Sequence, residues 1–400
     1  MRILILNIIV TLTLFSADIF GQIDINQSKY FKALYYYENN LKDSALVELK
    51  FCRSEPQCAF FEAKILFEKG CFTEATSIYK DLLDKEPSES SFYLSLVYAD
   101  MGFAEESVMW LEKYFEHKDP RFYSQIISNK EFENILRTPE WRGFWEVNRY
   151  SKNTEKYEEA IYLINTQKYE NAISLISNID GSSRSYLKNY LLALAYFESG
   201  NIKNANKYIN LSVSSNSKNV NVLELKLKIL KENKDYVASY DLNNNLLKID
   251  KYDPQHILNQ AEICYLLSYY DEAEKYIKEY VKYFIDNEKA NFLKAQILTK
   301  QQKLSEALIT LNHIIEKNPS VTEYFNLRAD IYSVFESWNF AANDYSMVLD
   351  IDPVSPDTYY KIGICYFKLN QMEKACYAWK KATGLKNKDA KKMLNKYCDF

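Results

Sequence analysis

The side chains able to do chemistry in this 400-residue sequence are few and scattered. Three histidines, His117, His256 and His313, lie far apart, so a serine or cysteine nucleophile has little to use as a base. The seven cysteines, Cys52, Cys58, Cys71, Cys264, Cys365, Cys376 and Cys398, match no zinc-ligand spacing. There is no glycine-rich phosphate loop, no Gly-x-Ser-x-Gly elbow and no His-Glu-x-x-His helix. The acidic pairs Glu105–Glu106 and Glu158–Glu159 read as solvated surface on outer helix faces or turns, not as an acid/base dyad. We therefore expect no catalytic residue, no metal and no cofactor. The odd cysteine count leaves at least one thiol unpaired in a monomer, and Cys52 with Cys58, or Cys365 with Cys376, could pair in an oxidising compartment.

Composition limits the elements that could hold any site. Eight glycines and eight prolines make up 16 of 400 residues, against roughly 12% in an average chain. That shortage excludes linker-rich sequence and disfavours turn-rich β folds. With 34 Tyr, 22 Phe and 47% apolar residues there is ample core material, so the expectation is a long, packed, all-helical chain. A net charge of -4 argues against a general nucleic-acid binder, which needs a basic face to release counterions. The one local excess of charge is Lys380, Lys381, Lys386, Lys388, Lys391, Lys392 and Lys396, read as the solvated face of a terminal helix.

At the N-terminus Arg2 precedes an apolar run from Ile3 to Phe15, ended by Ser16, Ala17 and Asp18. Thirteen helical residues span about 20 Å, short of the ~30 Å hydrocarbon core. We read residues 1–21 as a secretory signal peptide, cleaved after Gly21 or alternatively after Ala17, with an uncleaved anchor as the other reading. No later stretch spans a membrane. The expected location is periplasmic or otherwise extracytoplasmic, with membrane association left open.

Small residues recur in pairs twelve apart. The pairs are Ala33 and Ala45, Ala63 and Ala75, Ser95 and Ser107, Ala160 and Ala172, Ala193 and Ala205, Leu227 and Ser239, Ala261 and Ala273, Ala295 and Ala307, Ala329 and Ala341, Gly363 and Ala375. From Ala193 each pair lies 34 residues from the next, and only Leu227 is not small. A small residue lets two helices approach closely, so each pair puts one on either arm of a helical hairpin. Three residues after the first slot come core side chains such as Tyr36, Leu66, Tyr196 and Leu298. Seven after it come Asn40, Gly70, Gly102, Gln167, Gly200 and Lys234, the expected turn. Pro87, Pro319 and Pro353 fall twelve after the second slot and separate one unit from the next.

The best single copy is Tyr359-x-x-Ile362-Gly363-x-x-Tyr366 followed by Asn370, Ala375, Trp379 and Ala382. It resembles the tetratricopeptide repeat, with Asn in place of the turn glycine and no closing proline. The resemblance covers about residues 26–387 as ten units. It implies an all-α, right-handed superhelical solenoid, closed by a capping helix over Lys388–Cys398. We expect three repeats within 22–120, an atypical aromatic segment over 121–152 around Thr138-Pro139-Glu140-Trp141, and seven repeats with the cap over 153–400. Whether 121–152 is a hinge, a cap or a degenerate repeat stays open.

In such a superhelix the first helices line a concave face, where partners bind. Groove candidates are Tyr157, Tyr190, Leu194, Phe197, Lys228, Glu262, Tyr265, Phe292, Gln296, Tyr360 and Phe367. Aromatics there supply rigid apolar area, though packing between neighbouring repeats competes for the same rings. The Lys and Asn that grip a peptide carboxylate in some family members are missing: the matching slots hold Tyr190 and Leu194, Glu224 and Lys228, Leu258 and Glu262, Phe292 and Gln296. The expected role is a non-enzymatic scaffold for a protein or peptide partner, with glycan binding as the alternative.

Overall fold

The computed structural model describes residues 24–117, 123–147, 149–150, 152–179 and 185–398. The segment read as a signal peptide lies outside them, and every element among the described residues is helical. The chain divides into two compact units, through Pro254 and from Gln255.

The first unit holds three helical hairpins, an irregular segment and three more hairpins. The first three are α1 (Ile25–Glu38) with α2 (Lys42–Lys50), α3 (Pro56–Glu68) with α4 (Phe72–Asp81), and α5 (Pro87–Asp100) with α6 (Ala104–Phe115). The irregular segment is α7 (Tyr123–Ile127), a 3-10 turn (Lys130–Asn134) and α8 (Pro139–Glu146). Then follow α9 (Lys152–Asn165) with α10 (Tyr169–Ser177), α11 (Ser185–Glu198) with α12 (Ile202–Ser215), and α13 (Val220–Glu232) with α14 (Tyr236–Ile249). The second unit stacks α15 (Pro254–Leu266) with α16 (Tyr270–Tyr283), α17 (Glu288–Lys300) with α18 (Leu304–Lys317), α19 (Thr322–Val334) with α20 (Trp338–Ile351), and α21 (Pro356–Lys368) with α22 (Met372–Gly384). It ends in α23 (Lys388–Tyr397). Each unit is an α-solenoid. Second helices pack on the next first helix, as α10 does on α11 and α20 on α21. Among the described residues no helix is long and apolar enough to cross a membrane.

The twelve-residue pairs are where the arms of a hairpin meet. Ala33 with Ala45, Ala295 with Ala307 and Ala329 with Ala341 have no solvent exposure. At the serine pair the approach is close enough for Ser107 Oγ to donate to the Ser95 carbonyl at 2.8 Å. Leu227, the one large residue in the set, is also buried, opposite the small Ser239. Gly363 is small for a further reason. A Cβ there would overlap the indole of Trp379, 2.5 Å from its Cδ1.

The turns obey one rule. The residue seven after the first small slot has positive φ in all ten hairpins: Asn40, Gly70, Gly102, Gln167, Gly200, Lys234, Ser268, Gln302, Glu336 and Asn370. The amide after it donates back to the helix, as Leu41 does to Tyr36, Asn201 to Tyr196 and Ser337 to Tyr332, at 2.8–2.9 Å. This left-handed cap satisfies a carbonyl that would otherwise be orphaned at the helix end and reverses the chain within three or four residues.

The irregular segment buries Ile126, Phe132, Ile135, Trp141 and Phe144 against Phe92, Leu96, Leu111 and Tyr114 of the third hairpin. Thr138 caps α8, its Oγ1 accepting from the Trp141 amide at 3.3 Å. Asn134 donates to the Asp100 carbonyl at 2.9 Å, and Ser124 donates to Glu158 on α9 at 2.8 Å. Glu158, expected to be merely solvated, thus joins the segment to the fourth hairpin.

Disulfides link Cys52 to Cys58 and Cys376 to Cys398. The first is one of the two expected pairs. The second replaces the Cys365–Cys376 pairing, because Cys365 faces the core with Tyr345 and Ala378 while Cys376 faces the cap. The cap α23 buries Ala390 and lays Met393, Leu394 and Tyr397 against Trp379 and Phe367.

Two outcomes follow for stability. Glu336→Gly should raise it by up to about 1 kcal/mol by relieving the left-handed strain, whereas Lys207→Gly, in the exposed interior of α12, should lower it by about 1 kcal/mol. Gly363→Ala should cost about 1–3 kcal/mol through overlap with Trp379, while Gly384→Ala, with nothing within 4 Å, should not. Urea midpoints of the four variants check both.

Candidate functional site

On each first helix the positions three before, one after and four after the small slot follow helical i, i+4, i+7 spacing and so share a face. In the first unit that face is largely spent on packing. Tyr157 is 3% exposed and sits among Ile164, Leu191 and Leu192, leaving no ring face for a partner. Tyr190, Leu194 and Phe197 are half-buried along α11, packed against the cluster of Ala193, Ala205, Val222 and Leu225. Burial, and then the nearby charge of Glu224, push the Tyr190 hydroxyl above its usual range. Lys228, one repeat further on, is exposed. The structure thus brings three of these candidates together on one helix, half open.

In the second unit the face is charged and more open. Glu262 on α15 lies 3.8 Å from Lys289 at the start of α17. Two repeats on, the same slot holds Asp330, which accepts from Lys361 Nζ at 2.7 and 2.9 Å. Asp330 also accepts from the hydroxyl of the buried Tyr345. Phe292 packs against Tyr324 with ring centroids 4.9 Å apart. The two rings share a shallow cleft with Glu288, Lys289, Val321 and Glu323. The Tyr324 hydroxyl donates to Glu288 at 2.7 Å, and burial together with that carboxylate raises its pKa well above a free tyrosine's. Gln296 and Tyr265 are half-buried, the latter 6.0 Å from the Tyr270 ring. Tyr360 and Phe367 belong to the end of the stack. Tyr360 offers its carbonyl to Trp379 Nε1 at 3.3 Å, and the Phe367 ring is 4.7 Å from that of Tyr397.

Asp330, Lys361, Lys289, Glu288 and Tyr324 are not among the residues singled out from the sequence. Asp330 carried a usable signal, since it occupies the same slot as Glu262, 68 residues earlier. Lys361 and Lys289 had none, because the partner of each lies in another repeat.

On this face Glu262 and Asp330 are held by cations and, at Asp330, by a hydroxyl donor. Off it, Arg328 grips Asp344 of the second helix α20 through two bonds of 2.7 Å and reaches Asn312 of α18 with a third of the same length. The buried thiols are poor nucleophiles. Burial pushes Cys365 up to about 11 and Cys264 higher still.

Tetratricopeptide repeat family models match residues 269–331 and 357–399. Together with ten hairpins in one register, these matches define a helical-hairpin repeat protein. Over these two stretches the chain is a tetratricopeptide repeat protein. Partly similar solved structures include a tetratricopeptide repeat protein from Parabacteroides merdae, 17% identical, covering 61% of this chain and 97% of its own, with a TM-score of 0.49. The C-terminal part of a repeat protein from Cytophaga hutchinsonii is also 17% identical, covering 60% and 99%, with a TM-score of 0.49. YrrB, a tetratricopeptide repeat protein with an unusual peptide-binding site, is 16% identical and covers 47% and 97%, with a TM-score of 0.40. No curated protein matches the sequence.

Asp330→Ala removes the acceptor that Tyr345 and Lys361 share. It should lower stability by about 1–3 kcal/mol, with Asp330→Asn losing less, as read from urea denaturation of the two variants.

Proposed function

We propose that the protein is an exported, non-catalytic scaffold that binds a protein or peptide partner on the first-helix faces of its hairpins. The observation that carries this reading is the contrast along the second unit's first helices. Their neighbours are joined by charged pairs such as Glu262 with Lys289, while the half-buried Phe292, backed by the buried Tyr324, lines an open cleft between them. Apolar rings rimmed by charges suit an extended segment or an amphipathic helix. Export is supported by the two disulfides, which persist in oxidising compartments, and by the basic-then-apolar run at residues 2–15.

A photo-crosslinking side chain placed at Gln296 or Lys228 should capture a discrete partner in living cells. The same group at Lys203 or Lys207, exposed on the second helix α12, should not. Equal capture from both kinds of position would refute first-helix binding. Recovery of the intact 1–21 segment from a cytoplasmic fraction would refute export.

A further inference from the structure

The two ends of the first unit meet. Between α14 and α15 the chain turns through Asp250, Lys251, Tyr252 and Asp253, a connection that ought to be solvent-exposed. Tyr252 is instead 4% exposed. It enters the core of the first two hairpins, among Ala33, Leu49, Phe61 and the Cys52–Cys58 bridge. Its ring meets that of Tyr30 edge-on, with centroids 5.0 Å apart. Tyr30 in turn lies 5.4 Å from Phe61, and Phe61 lies 5.2 Å from Tyr37. Beside this aromatic socket Lys251 reaches Asp24 at 3.1 Å and Glu55 at 3.6 Å. The Gln27 side chain donates to the Lys251 carbonyl across 224 residues of sequence.

Tyr30 and Tyr37 stand three before and four after a first small slot, the same positions as the groove candidates elsewhere. The first hairpin's recognition face is therefore occupied, and its occupant is visible: a basic residue followed by an aromatic one. Three features make the match specific. The socket is apolar where Tyr252 enters, acidic where Lys251 lies, and bonded to the backbone between them through Gln27.

We propose that the first two hairpins are a receptor for a Lys–Tyr segment, filled in cis by Lys251 and Tyr252, so that the first unit is latched end to end. A partner presenting a basic-aromatic pair in an extended segment competes with the latch and releases α1. This proposal does not depend on what the other hairpins bind.

The test uses the full oxidised chain. The double variant Lys251→Glu, Tyr252→Ala should keep its helical circular dichroism while amide exchange in residues 25–38 speeds up by about tenfold or more, since that segment loses its distant support. The conservative pair Lys251→Arg, Tyr252→Phe should keep the parent's protection, which separates latch chemistry from general loosening. The end-blocked pentapeptide Asp-Lys-Tyr-Asp-Pro should bind the first variant and restore protection of 25–38. It should bind the parent at least tenfold more weakly, because the tethered segment competes at high effective concentration. Unchanged exchange in the first variant, equal loss in the conservative one, or no preference of the peptide for the opened chain would each overturn the proposal.

Discussion

Everything in this molecule depends on one backbone event repeated ten times: a residue forced into the left-handed region just after each first helix. It ends the helix, satisfies a stranded carbonyl and turns the chain back within a few residues. The second helix must then lie against the first. The small residues twelve apart are the contact this return creates. Because every hairpin is made the same way, neighbouring hairpins within a unit present the same first-helix positions in turn. A surface made from several repeats thereby becomes possible without any long-range instruction in the sequence.

Only three of the ten left-handed positions are glycine. Lys234, Gln302 and Glu336 hold the same conformation with a full side chain. Packing along the stack is strong enough to impose the geometry on residues that resist it. For the same reason glycine content alone understated how regular the chain is.

The architecture was legible because its signals are local. Small slots, turn positions and prolines all act within a single hairpin, so their spacing survives in the linear sequence. The aromatic segment around Trp141 was visible through its rings. Its bonds to Asp100 and Glu158 were not, since they join different units of the repeat. The candidate face was legible in position but not in occupancy. Tyr157 and Phe292 hold equivalent slots, yet one is sealed in the core and the other lines a cleft. The difference lies in how the following hairpin packs, which no slot count contains. The pairing of Cys376 with Cys398 was missed for a related reason: sequence proximity favoured Cys365, but helical direction turns that thiol towards the core.

The bridge from Cys376 to Cys398 has a mechanical meaning. A stack of hairpins held only by neighbour contacts peels from its ends when pulled, one helix at a time. Here a load applied at the C-terminus crosses the disulfide and enters the chain at Cys376, inside α22, bypassing the cap and the turn before it. The terminal helix is thus shielded from tension, and resistance begins at the last full hairpin, where Trp379 packs onto Gly363.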